Sequence, residues 1–235
     1  MATTFLDIIN KVLTAIDAMP VSQIDDTVES EQVADIVRRA YTEILTHRDW
    51  DFLKKQGTLT PTYKTPNTMF LPEDCMSVIV VKYNKKEIAY KDPVEFKNML
   101  DSRTGSNVDA NGAYTDREPK YYTTYDGFIV TFDAYNLTES SNLLESKTYV
   151  YYIREPNEMF GETDEPDCPS RFIPALTDYS IALAMNELRQ DMNSYGIYRN
   201  KYQAQISRLI RLGTTFREDK DRYDLSIDYG RKRRY

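Results

Sequence analysis

The spacing of the apolar residues changes twice along this 235-residue chain, and that change limits the folds it can adopt. Residues 4–18 and 29–53 carry apolar side chains at helical spacing, and residues 170–192 and 195–212 do so again. Residues 57–155 instead hold β-branched and aromatic runs, which are typical of strands. The sequence therefore predicts helices from both ends of the chain with a sheet between them.

The apolar stripes of the first two helices indicate which face of each is buried. Thr4 is the predicted N-cap of the first helix. Its stripe comprises Phe5, Ile8, Ile9, Val12, Leu13 and Ile16. The stripe of the second helix comprises Val33, Ile36, Val37, Ala40, Tyr41, Ile44 and Leu45. The connection between the two helices is short, so we expect them to be antiparallel neighbours.

The middle of the chain has the signals of a small antiparallel β sandwich or barrel. Asp126-Gly127 lies between two strand-like runs, which is a strong hairpin signal. Residues 101–115 are rich in Gly and Asn and predict a long mobile loop. Residues 155–167 hold six acidic residues and no basic one. They are either a solvated surface loop or a rim that faces a basic partner.

The predicted fold class is α+β. The N- and C-terminal helices, residues 1–55 and 170–212, form a helical bundle. A β-rich domain of residues 56–169 is inserted between them. An extended arm of residues 213–235 follows the bundle.

The last helix is predicted to end at Gly213. The arm that follows is predicted to bind another chain. Apolar residues then alternate with period 2, and the chain ends in a basic cluster. The alternation predicts a strand without a hairpin partner nearby, although a frayed terminus is the alternative. The candidate binding residues are Tyr223, Leu225, Ile227, Tyr229, Arg231, Lys232, Arg233, Arg234 and Tyr235.

Composition argues against several classes of function. The formal net charge of −7 disfavours broad binding to phosphates. His47 is the only histidine, and Cys75 and Cys168 match no metal-ligand spacing. Phosphate-binding glycine motifs are missing from the sequence, as is any apolar run of 18 residues. We therefore expect no catalytic residue, cofactor, metal or membrane contact.

Short motifs in a particular order resemble a known family. They are residues 19–24 (Met-Pro-Val-Ser-Gln-Ile), 48–52 (Arg-Asp-Trp-Asp-Phe), 71–72 (Leu-Pro), 169–172 (Pro-Ser-Arg-Phe) and 181–184 (Ile-Ala-Leu-Ala). The chain resembles the tail tubular protein A, or head-to-tail adaptor, family of short-tailed bacteriophages. The resemblance spans nearly the whole chain, although the β-rich middle is longer than the family pattern.

This resemblance implies a ring, usually of twelve copies, under the portal at one capsid vertex. The C-terminal segment would reach the portal, the tail nozzle would bind the opposite face, and DNA would pass through the channel. The implied location is the virion, after synthesis in the host cytoplasm. Two alternatives remain at this stage. One is a DNA-binding accessory protein that uses the basic cluster, and the other is a tail-associated hydrolase of the cell envelope.

Overall fold

The chain forms two compact units. The structure is a computed structural model that describes residues 3–62, 65–136 and 147–231, with side chains described as far as residue 212. One unit comprises Met1–Asp51 and Pro156–Tyr235, and the other comprises Phe52–Glu155. The fold is α+β with N- and C-terminal helices, as the sequence predicts.

The first unit is helical. Its helices are α1 (Phe5–Ala15), α2 (Val28–Thr46), α4 (Ile173–Glu187) and α5 (Met192–Arg231). Helix α1 packs on α2 and α4, α2 packs on α4, and α4 packs on α5. Every residue of the two predicted stripes is buried, so the predicted core faces of α1 and α2 are confirmed.

Local capping fixes the start of α1. The Thr4 hydroxyl accepts a hydrogen bond from the Asp7 amide at 3.2 Å, and the Asp7 carboxylate accepts one from the Thr4 amide at 3.0 Å. This capping box satisfies two donors that a helix start leaves unpaired. The predicted N-cap is therefore confirmed.

Helix α2 is shorter than predicted because the chain turns to bury Trp50. The helix ends at Thr46, whereas the sequence predicts helix as far as residue 53. The indole Nε1 of Trp50 donates to the carbonyl oxygen of Ile44 at 2.9 Å. Its ring packs edge-on against Phe172, with 4.9 Å between the ring centroids. The prediction that Trp50 is a core residue is confirmed, since only 5% of it is exposed.

Among its described residues, the second unit contains one curled sheet of eight strands and the helix α3 (Pro93–Asp101). The strands are β1 (Lys54–Gly57), β2 (Thr60–Pro61), β3 (Thr68–Phe70), β4 (Cys75–Tyr83), β5 (Lys86–Tyr90), β6 (Tyr121–Thr124), β7 (Ile129–Phe132) and β8 (Thr148–Arg154). Their order in the sheet is β1-β8-β4-β5-β6-β7-β3-β2. Strands β3 to β8 all contribute to one apolar core.

The sheet is mixed, which corrects the prediction of an antiparallel unit. Strands β5 and β6 pair in parallel, with Ala89 opposite Tyr121, whereas the other pairs are antiparallel. A parallel pair needs a crossover connection, and α3 with the loop after it supplies one. The hairpin signal at Asp126-Gly127 is confirmed, because this turn joins β6 to β7 and Gly127 has φ +78°.

The unit borders differ from the predicted domain borders. Strand β1 pairs with β8, so the chain joins and leaves the second unit on neighbouring strands. Residues 156–169, which the sequence predicts to lie in the β-rich domain, belong to the helical unit. Whether the second unit folds independently as an inserted domain stays a prediction.

Helix α5 corrects the prediction of an extended arm. The helix does not end at Gly213 but runs on to Arg231. Each of the three glycines in α5 (Gly196, Gly213 and Gly230) costs about 1 kcal/mol relative to alanine. Residues 214–231 mix good helix formers, such as Arg217, Glu218 and Lys220, with poorer ones, including four Asp and two Thr. Because extending an existing helix is easier than starting one, α5 continues through Gly213 despite the period-2 pattern.

Candidate interaction surfaces

The predicted portal-binding residues fall in two groups. Tyr223, Leu225, Ile227, Tyr229 and Arg231 lie on the helical backbone of α5. Lys232, Arg233, Arg234 and Tyr235 lie outside the described residues. The structure thus replaces the predicted strand with a helix, and binding of these residues to a portal stays a prediction.

A second surface is the acidic loop, by which we mean residues 156–167 of the helical unit. Distant helices hold its backbone in place. The Arg38 guanidinium Nε donates to the carbonyl oxygen of Met159 at 3.0 Å, and the Tyr41 hydroxyl donates to that of Asn157 at 3.0 Å. The sequence offers no local signal for these contacts, which join residues more than a hundred positions apart.

The start of the chain holds the other half of the acidic loop. The Phe5 amide donates to the Asp164 carbonyl oxygen at 2.8 Å, and the Leu6 amide donates to that of Glu162 at 3.1 Å. The Glu162 carboxylate accepts from the Ile24 amide at 3.0 Å. The acidic loop is therefore fixed on α1 and α2 rather than hanging free in solvent.

Phe160 projects from a tight turn within the acidic loop. The Asp164 carboxylate accepts hydrogen bonds from the amides of Gly161 at 2.7 Å and Phe160 at 2.9 Å. These two bonds hold the pKa of the Asp164 carboxyl below its usual value. Met159 is buried, whereas 67% of Phe160 is exposed. The turn therefore presents a large aromatic ring to solvent on a fixed backbone.

A third surface, the lysine cavity, lies on the sheet of the second unit. It is an open cavity of about 600 Å³. Its walls come from β1, β4, β5 and β8 and comprise Lys54, Lys55, Gln56, Ile79, Val80, Lys82, Glu87 and Tyr151. Tyr151 alternates with the buried Val150 and Tyr152, so it points to the face opposite the core.

The lysine cavity combines positive charge with apolar surface. The Lys82 ammonium lies 5.3 Å from the centroid of the Tyr151 ring, a cation–π contact. Ile79 and Tyr151 are 44% and 37% exposed. Lys55 also forms an ion pair of 2.9 Å with Asp74. Such a site suits an apolar group that is flanked by negative charge.

The loop between α3 and β6 is held in place by an internal ion pair. The Arg103 guanidinium Nη2 donates to the Asp133 carboxylate at 2.8 Å, and Nη1 donates to the Asp133 carbonyl oxygen at 2.8 Å. The two side chains are only 10% and 4% exposed. The Arg103 guanidinium also stacks 4.3 Å above the Tyr114 ring. The segment predicted as a long mobile loop is therefore tied by buried contacts to Asp133, the residue that follows β7.

The two cysteine thiols are weak acids in this fold. Burial raises the pKa of Cys75 to about 11, with a further contribution from the Asp74 charge. Burial likewise raises the pKa of Cys168 to about 12. Within the described part of the chain, no group of three or more His, Cys, Asp or Glu residues could hold a metal ion. No helix among those same residues is long and apolar enough to cross a membrane.

Sequence reasoning missed Phe160 and the lysine cavity as candidate binding features. The sequence shows Phe160 among acidic residues, but the exposure of its ring depends on contacts of the loop with α1 and α2. Alternation in β8 could have placed Tyr151 on an outer face, yet only the strand order brings it beside Lys82 and Ile79.

Comparison with known protein families finds a match that covers nearly the whole chain. The family model described as SU10 adaptor protein matches residues 3–229. No curated protein sequence matches the chain. Because the matched region includes both the helical unit and the inserted sheet, the chain belongs to the SU10 adaptor protein family.

Proposed function

We propose that this protein is a structural head-to-tail adaptor of a phage virion. It forms a ring that joins the portal to the tail nozzle and lines the channel through which DNA leaves. The family match over residues 3–229 carries this proposal, because membership of the SU10 adaptor protein family supports a phage adaptor role and a place in the virion. The role is structural rather than catalytic.

The C-terminal part of α5 is the portal-binding element of this proposal. The first part of α5 packs on α4, and the helix then continues to Arg231. A helix can bind another protein by laying one face into a groove. The basic residues at positions 231–234 would guide that docking onto an acidic portal surface.

The net charge of the chain fits passage of DNA through the ring. Each copy carries −7, and acidic walls do not grip phosphates as basic walls do. DNA is then a passing cargo rather than a bound ligand. A ring of twelve copies is the stoichiometry that the resemblance to tail adaptors implies.

Mass measurement with purified portal rings tests the proposal. Full-length protein should bind portal rings and give a complex whose mass fits a ring of subunits. Deletion of residues 213–235 should abolish this binding and leave the far-UV circular dichroism of the rest unchanged. Full-length protein that fails to bind portal rings, or a deletion variant that binds equally well, would refute the proposed docking.

A DNA titration of the isolated full-length protein separates the adaptor from a DNA-binding protein. The adaptor should show no binding of duplex DNA at physiological salt. Binding that falls steeply as salt rises would indicate phosphate contacts and would contradict a passive channel.

A further inference from the structure

We propose that Phe160 of the acidic loop inserts into the lysine cavity of a second copy of this chain. The contact would join neighbouring subunits, so the inference rests on the ring of the proposed function. It names two surfaces, the acidic loop on the helical unit of one copy and the lysine cavity on the sheet of the next.

Phe160 has the properties of a binding anchor. It is 67% exposed, yet its backbone amide and that of Gly161 are both bonded to the Asp164 carboxylate. Arg38 fixes the preceding peptide through the Met159 carbonyl oxygen. An aromatic residue on a preorganised backbone loses little conformational freedom on binding. Fully buried aromatic residues commonly dominate the energy of an interface.

The lysine cavity has room and apolar walls for one aromatic ring. Its volume of about 600 Å³ lies in the range of ligand-sized pockets. Ile79, Val80 and Tyr151 supply apolar surface on which a phenyl ring can pack. Tyr151 also allows the offset or edge-on ring geometry that aromatic pairs prefer.

Charge selects the acidic loop as the occupant. Between residues 156 and 167 the chain has five acidic residues and no basic one. Glu158 and Glu165, close to Phe160 in sequence, are both exposed. The cavity wall carries three lysines against one glutamate. Opposite charges would steer the loop of one copy onto the cavity of the next, whereas two acidic loops would repel each other.

The two surfaces are different, so the contact is heterologous. Each copy would offer its acidic loop to one neighbour and its lysine cavity to another. Repeated contacts of this kind form either a closed ring or an open filament, depending on the rotation between copies. A ring adaptor needs a contact of this type.

Cysteine trapping tests the contact directly. We would mix Phe160→Cys protein with Ile79→Cys protein under mild oxidation, with and without portal rings, at a concentration high enough to offset the weaker association of a copy that lacks the Phe160 ring. Disulfide-linked dimers should form in the mixture and exceed those of either variant alone or of the wild type. The wild type is the control for Cys75 and Cys168, whose raised pKa values keep their thiols slow to react. A mixture without extra dimer overturns the proposed contact.

Substitution tests the strength of the contact. Phe160→Ala should weaken self-association about 10- to 100-fold, the effect expected when a fully buried aromatic ring is lost. Phe128→Ala is the matched control, since Phe128 is 68% exposed on the β6–β7 turn, and it should assemble like the wild type. Lys82→Glu should also weaken self-association. Glu158→Lys in the copy that supplies the acidic loop should restore part of the lost association. Equal assembly of the Phe160→Ala and wild-type proteins would overturn the proposal.

Portal binding separates this inference from the proposed function. If the wild type binds portal rings but the Phe160→Cys and Ile79→Cys mixture gives no extra dimer, the adaptor role stands and the Phe160 contact is rejected. If dimers are trapped but the protein does not bind portal rings, the Phe160 contact is supported and the proposed docking of α5 on the portal is rejected. A portal or nozzle segment could occupy the lysine cavity instead. Tyr151 would then lose solvent accessibility only when that partner is present, and no dimer would be trapped. That result rejects the Phe160 contact.

Discussion

Replacing Asp133 with alanine should be among the most destabilising single changes in the second unit. The Asp133 carboxylate is 4% exposed and accepts three hydrogen bonds. They come from Arg103 Nη2 at 2.8 Å, the Lys120 amide at 2.8 Å and the Tyr121 amide at 2.9 Å. Asp133→Ala removes the two oxygens that accept these three bonds and leaves a buried guanidinium without its counterion.

The expected cost follows from the burial of the pair. Removing one partner of a buried ion pair costs about 3–5 kcal/mol, because the remaining charge is left uncompensated. For a chain of this length such a loss lowers Tm by roughly 6–20 °C. Asp133→Asn should cost less than Asp133→Ala, since the amide oxygen can still accept from the Lys120 and Tyr121 amides.

Urea and thermal unfolding followed by circular dichroism measure this loss. Hydrogen exchange should show faster opening of residues 101–117, because the Arg103 contact holds this loop. The control is Asp116→Ala in the same loop, where the ion pair with Arg117 is 41–48% exposed and should matter little. Equal effects of the two alanine substitutions would refute the argument that burial makes Asp133 important.

Three further predictions concern other contacts. Gly112→Ala should destabilise the fold by about 1–3 kcal/mol, because Gly112 has φ +87° and an added Cβ would lie 2.5 Å from the Leu100 carbonyl oxygen; an unchanged urea midpoint would contradict this. Trp50→Phe should cost about 1–3 kcal/mol because it leaves a buried α2 carbonyl without its donor, and thermal unfolding that matches the wild type would exclude that role. Cys75 and Cys168 should alkylate slowly at pH 7.5 and faster only as the pH approaches their raised pKa values of about 11 and about 12; rapid labelling in intact-mass measurements would contradict the burial.

The parts of the fold that sequence predicted well depend on neighbouring residues. Thr4 caps α1 through Asp7, three positions away, and the Asp126-Gly127 turn joins adjacent strands. The buried stripes of α1 and α2 follow from helical spacing alone. In each case the interactions that decide the structure lie within a few residues, so a local pattern is sufficient.

The parts that sequence did not predict depend on distant contacts or on competing local preferences. The parallel pairing of β5 with β6 requires a crossover that no hairpin signal reveals. Phe160 is exposed while Met159 is buried, and contacts with Arg38 on α2 help to set this outcome. At Gly213 the pattern of the following residues predicts a strand, but the helix that already runs from Met192 continues through the glycine, because extension is easier than nucleation.

Because α5 is long, the direction in which its C-terminal end faces depends on the exact number of residues in the helix. A helix of 40 residues extends about 60 Å and turns about 100° with every residue. Deleting one residue after Gly213 would therefore rotate the C-terminal end by about 100° as well as shortening it. Inserting four residues would add slightly more than one full turn. The end would then face nearly its original direction but lie about 6 Å farther along the helix axis. Binding of a partner at the end of α5 would therefore depend on both the rotation and the position of that end. A flexible tail would impose neither constraint.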